Sequence, residues 1–181
     1  MNDNYTITDF ENGYTLNIDI NIEEPAWQAE LKSLNDLITK TSKHVFEKLG
    51  LTKYAKDIEF SITLTNNSSI QKLNSQYRAK NQHTNSLSFP AQEIIAGKLN
   101  EFKFHDEFAI LGDIIFAYEQ IIDEAKEQDK SFNNHFIHLL IHSILHLLGY
   151  DHQVEKEAIE MEALEVELLS FLDIKSPYET F

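Results

Sequence analysis

At 181 residues the chain can bury one sizeable core and is too short for two ordinary ones, so the expectation is a single domain spanning 1–181. Apolar residues at 42% and charged residues at 25% exclude native disorder, and the absence of cysteine excludes a disulfide framework and any thiolate metal site. A formal net charge of −15 opposes general adhesion to phosphate backbones or anionic membranes.

The opening "MNDNYTITDF" has neither a basic n-region nor an apolar h-region. No stretch reaches the roughly 18 uninterrupted apolar residues of a membrane span, so a cytoplasmic location without membrane association is expected. "YTLNIDIN" (14–21) alternates as a strand, Pro25 suits a helix start, and a helix over about 26–49 closes at Gly50. "IEFSITLTN" (58–66) alternates again, and "NNSS" supplies an N-cap for a short helix ending near Arg78. "NQHTN" reads as loop and "SLSFP" as a short strand stopped by Pro90. Residues 91–108 lack periodicity and read as an excursion, and 109–118 reads as a buried strand. Helices follow over about 118–129, 132–148 and 155–172, the last amphipathic. The expected fold is α+β: a small mixed sheet of about four strands packed with about five helices.

One charge feature stands apart. From Phe60 to Gln92, 33 residues contain no Asp or Glu but do contain Lys72, Arg78 and Lys80. A strand, turn and helix that merely lack charge explain the window as well as a binding surface does. Lys72 and Lys80 are candidates for contacts to a nucleic-acid backbone. Arg78 is the only arginine, and its forked donors suit a phosphate oxygen better than a lysine would.

The segment "HFIHLLIHSILHLLGYDHQ" (135–153) holds five of the eight histidines. His135, His138, His142 and His146 share one side of a helix, but His138 and His146 stand about 12 Å apart along its axis, too far for one ion. Gly149 can end the helix in a left-handed conformation and return His152 to its last turn, which selects His142, His146 and His152. Three imidazoles leave a fourth tetrahedral position open, as catalytic sites do, and one Zn2+ is the expected ion, although imidazole also suits nickel, copper or iron. His135, His138, His44 and His105 are read as satisfied core residues. The spacing matches the zinc-protease pattern except that Ser143 replaces its general-base glutamate, which disfavours peptide hydrolysis. Asp113 can orient a ligand histidine or begin a turn, and Asp151 shares that ambiguity. The glutamate-rich face of 155–167 is read as a solvated helix side carrying no site.

"HSILHLLGYDH" resembles the H-G-x-L-H-L-x-G-y-D-H signature of the YbeY family of bacterial zinc-dependent endoribonucleases. "LNSQYRAKNQHTNSLSFP" (73–90) and "LGDI" (111–114) resemble two further landmarks in the family's order. Ser143 departs from the family's glycine, and Asn81 and Asn85 depart from its aspartates. The resemblance implies a metal-dependent endoribonuclease that cuts single-stranded RNA in 16S ribosomal RNA 3′-end maturation and ribosome quality control. It further implies a ribosome or ribosome-associated proteins as partners, and Arg78 as a catalytic group beside the metal. Two other readings are an assembly factor with a structural zinc and a zinc hydrolase acting on a substrate other than RNA. Sequence leaves the oligomeric state open.

Overall fold

Alternating apolar residues build the centre of the fold. The computed structural model describes residues 3–178. In it β2 (Tyr14–Ile22) and β3 (Asp57–Thr65) run parallel, turning Leu16, Ile18, Ile20 and Ile58, Phe60, Ile62 to one buried face. β5 (Phe108–Ala117) lies parallel on the far side of β3, and the short β4 (Ser86–Pro90) pairs antiparallel with β5. The sheet has five strands, one more than expected, in the order β1-β2-β3-β5-β4. The extra strand, β1 (Asp3–Glu11), pairs antiparallel with β2 at the sheet edge.

Five α-helices cover the sheet unequally among the described residues. α1 (Gln28–Leu49) starts after a 3-10 turn at Pro25–Trp27 and ends at Gly50, whose φ of 75° is the left-handed conformation expected there. It packs on the buried face together with α4 (Phe132–Leu147) and α5 (Glu155–Phe171), where Leu34, Phe46, Phe136, Leu140 and Leu168 join the sheet residues in one core. α2 (Asn67–Arg78), capped by Asn66, lies on the opposite face, where Ile70 meets Leu87 and Ala117. α3 (Tyr118–Glu127) links β5 to α4. Residues 91–107 form the expected excursion, broken by 3-10 turns at Leu99–Glu101 and His105–Glu107 and anchored by buried Ile94 and Leu99. No helix among the described residues is long and apolar enough to cross a membrane.

β4 positions the rest. Leu87 belongs to the small core beneath α2, so the alternation of the strand turns Ser88 the other way, where its Oγ donates to the Ser143 carbonyl of α4 at 3.3 Å. The same strand presses on β5 at Gly112, where a Cβ would come within 2.1 Å of the Phe89 carbonyl oxygen, so glycine is required.

Candidate metal centre

α4 begins at Ser131, whose Oγ accepts from the Asn134 amide, and buries Phe136, Leu140, Ile141, Ile144 and Leu145. Its end is set by Gly149, at φ 88°, while Tyr150 N–H donates to the Leu145 carbonyl at 3.0 Å. A side chain at 149 is doubly excluded, because a Cβ there would lie 1.9 Å from the Ile94 carbonyl oxygen. The reversal delivers His152 to the last turn of the helix. Ligand atoms of His142, His146 and His152 then all lie within 4.8 Å of one another. His142 and His146 are half-buried, whereas His152 is exposed, so the cluster opens to solvent on the His152 side.

The second ring nitrogens show what the cluster suits. His146 Nδ1 lies 2.9 Å from the Tyr150 carbonyl, which can only accept, so that nitrogen carries the proton. His142 Nδ1 lies 2.8 Å from Glu165 Oε1. Burial would raise the Glu165 carboxyl, but hydrogen bonds from His138, His142 and Tyr178 outweigh it and hold the group at about 2, ionised and accepting. The Nε2 atoms of the two rings face each other at 3.1 Å, and in the neutral rings with the proton on Nδ1 each presents a lone pair there. Opposed lone pairs at that distance repel unless a cation lies between them. Tetrahedral metal–nitrogen bonds of about 2.0–2.1 Å would set such nitrogens about 3.3 Å apart. Burial, with the neighbouring His142 and His152, lowers His146 to about 4, so protons do not compete for its lone pair near neutrality. The residues fit a divalent ion with imidazole preference.

Glu165 is the functional residue that sequence reasoning missed. The acidic face of α5 was expected to be solvated, yet Glu165 is only 1% exposed and lies on the stripe that buries Met161, Leu168 and Leu169. For the two aspartates left open between orienting a ring and bonding backbone or turn, the described contacts run away from the ligand rings. Asp113 is exposed and accepts from Ser61 Oγ, and Asp151 accepts from the His152 amide at 2.8 Å. His135 is buried and His138 partly buried, and each is bonded through Nε2 alone, His135 to Glu124 at 2.8 Å and His138 to Glu165 at 2.9 Å, while the Nδ1 of each has no partner among the described residues, so neither ring is fully satisfied as expected. His44 is partly buried and stacks on Phe171 at 3.9 Å. His105 is not a core residue, because its side chain is 95% exposed beside Asp106.

Arg78 ends α2, exposed, with Nη2 donating to the Ser88 carbonyl at 3.5 Å. Through Ser88 it is tied to Ser143, the residue next to His142. Lys72 and Lys80 are both exposed. Ser143 is fully buried and its hydroxyl has no partner among the described residues, so it does not enter the site. Asn81 accepts from Gln71 Nε2 at 3.1 Å.

Asn85 has a use an aspartate could not serve. Its Nδ2 donates to both oxygens of Glu124, at 3.0 and 3.2 Å, beside donors from Gln120 and His135. Burial would raise the Glu124 carboxyl, and these donors hold it below its ordinary value. Asn85→Asp sets two carboxylates against each other and should cost about 2 kcal/mol, a fall in Tm of about 4–8 °C at neutral pH. Thermal unfolding at pH 7 checks this, and an unchanged Tm would show that the amide is not needed.

The fold and the cluster together define an α+β protein with three histidines, on a helix and the hinge after it, suited to hold one divalent ion with an open side. Residues 19–173 match the family profile described as Endoribonuclease YbeY. The chain belongs to that family. It is 41% identical over 163 residues to the Endoribonuclease YbeY of Bartonella bacilliformis, covering 90% of this chain and 97% of that protein. To the Endoribonuclease YbeY of Bartonella quintana it is 40% identical, with the same coverage. A Thermotoga maritima protein solved in solution shares the fold at TM-score 0.50 and 20% identity, over 90% of this chain and 99% of its own.

Proposed function

We propose that this chain, acting over 1–181 as one catalytic unit, is a metal-dependent endoribonuclease that cuts single-stranded RNA. Its substrate would be ribosomal RNA during 16S 3′-end maturation and ribosome quality control, in the cytoplasm and in company with the ribosome or its associated proteins. The observation that carries the reading is the pair of Nε2 atoms of His142 and His146 facing each other at 3.1 Å, with His152 completing an open-sided trio. The names and identity of the relatives supply the substrate class.

One Zn2+ held by His142, His146 and His152 would supply Lewis acidity towards a phosphoryl oxygen. The chain's own groups supply the rest. Glu165 and the Tyr150 carbonyl fix two of the rings. Arg78, steadied by the Ser88 carbonyl, offers further N–H groups to the negative charge that develops at phosphorus. Residues Ser75 to His83 are all exposed and contain no acid, so an anionic strand can approach Arg78 and Lys80 despite the net charge. Tyr77, 60% exposed with its ring against Phe89 at 5.3 Å, offers a face on which an unpaired base can stack. With Ser143 buried and no glutamate in its place, peptide hydrolysis has no general base there.

The direct test is cleavage of a single-stranded RNA by protein that is zinc-loaded, then chelated, then reloaded. Activity should be present, lost and restored in turn, and a duplex of the same sequence should survive. No cleavage under any loading would favour the assembly factor with a structural zinc.

A further inference from the structure

The chain after α5 turns back on itself. Asp173 takes a left-handed φ of 58°, and Ile174 N–H donates to the Leu169 carbonyl at 3.0 Å, so residues 174–178 run back beside the helix they have just left. This carries the Tyr178 hydroxyl to Glu165, thirteen residues earlier in the chain. The carboxylate it meets is 1% exposed and fully engaged: Oε1 takes the His142 Nδ1 proton at 2.8 Å, and Oε2 takes donors from His138, at 2.9 Å, and from Tyr178.

We propose that Tyr178 is a positioning residue of the metal centre, acting through Glu165 to hold the His142 ring in the tautomer and orientation that point its bare Nε2 at the ion. The inference rests on the reading of His142 as a ligand. A buried carboxylate with one oxygen committed to His142 can rotate about its last bond, exchange its oxygens, or tilt toward whichever donor remains. Two donors on the other oxygen, from different segments, remove that freedom. His138 Nε2 approaches from α4, the same helix as His142, so the two move together and cannot by themselves fix Glu165 against α4. Tyr178 supplies the contact from outside that helix. Its ring also stands edge-on to His138, with centroids 6.0 Å apart and planes at 88°, so the segment braces both donor and acceptor.

The segment therefore belongs to the site although no atom of it reaches the ligand nitrogens. Partners of this outer kind change metal affinity about 10–100-fold when removed. Tyr178→Phe deletes the hydroxyl and keeps the ring, leaving the packing on His138 in place.

Two readouts decide the matter. In metal-free Tyr178→Phe, 15N NMR of the imidazoles should show His142 moving from a single Nδ1–H tautomer towards a mixture, while His146, fixed by the Tyr150 carbonyl, keeps its parental signals. In chelator competition the Kd for zinc should rise about tenfold, beyond what any accompanying fall in Tm accounts for. Glu165→Gln, which breaks the relay at its centre, should produce the same change in His142 and a larger rise in Kd. Parental His142 signals and a parental Kd in Tyr178→Phe would overturn the proposal. So would a Kd that rises only in step with a fallen Tm, because the tyrosine would then be packing alone. If the parent protein itself takes up no zinc, the ligand reading fails separately, and the metal-free NMR comparison still decides whether Tyr178 sets the His142 tautomer.

Discussion

His142→Ala, His146→Ala and His152→Ala should each purify without a retained equivalent of metal and without RNA cleavage, whereas His138→Ala should still bind one equivalent and cleave RNA, with affinity lowered no more than removal of an outer partner lowers it. The loss for each ligand should exceed the about 10–100-fold in affinity that removing an outer partner costs, because a two-imidazole remnant is no longer an enclosing site. His138 is the informative control. It lies one turn before His142 on the same helix and shares the Glu165 carboxylate, but its Nε2 is occupied by that carboxylate at 2.9 Å, so its removal leaves the ligand set whole. Metal content measured after gel filtration, alongside cleavage of a labelled strand, separates the outcomes. A metal-free His138→Ala beside a metal-bound His152→Ala would move the site one turn up the helix.

Arg78→Lys should leave folding and metal content unchanged, weaken RNA binding little, and slow cleavage by about 10²–10³, the scale seen when one preorganised donor to a developing oxyanion is removed. The reasoning is geometric. One Arg78 Nη group is spent on the Ser88 carbonyl at 3.5 Å, which anchors the guanidinium while its other N–H groups stay available to a phosphoryl group. A lysine keeps the charge but cannot hold that anchor and present a fork at the same time. Single-turnover rates, compared with affinity measured across a salt series, distinguish chemistry from attraction. A lysine variant that cuts at the parental rate, with Arg78→Ala losing only salt-dependent affinity, would reassign Arg78 to placing the phosphate backbone.

What the sequence made legible was whatever local chemistry decides. The three candidate ligands and Gly149 lie within eleven residues, so helix spacing plus a left-handed turn is enough to make their convergence readable, although contacts from elsewhere in the fold hold it. The alternation of β2 and β3 and the Asn66 cap are equally local. β1 was illegible because its inward side reads Tyr5, Ile7, Asp9, a pattern that breaks at the charge. Only the fold shows that Asp9 is paired with Lys43 at 2.8 Å and Tyr5 with Asn35 at 2.7 Å, both on α1. Glu165 was hidden in the opposite way, as one acid among many on an acidic helix. Its distinguishing mark is its place, four residues after buried Met161 and three before buried Leu168, and a charge on that stripe calls for a partner that no local pattern can name. Asn85 likewise looked like a lost carboxylate until Glu124 appeared opposite it.

The contact of Gly149 with the Ile94 carbonyl bears on how the chain folds. The ligands are close in sequence, but the turn that gathers them is wedged against a backbone more than fifty residues earlier, and one of their rings is set by a carboxylate on the following helix. A detached peptide covering α4 and its hinge would offer a chelating pair and a third imidazole with nothing to hold it. High-affinity metal uptake should therefore arise late in folding, in step with long-range closure and after helix formation. An ion that binds only the finished arrangement would add its affinity to the stability of the native state over every intermediate. The uptake of metal during refolding thus becomes a clock for the last docking event in this protein.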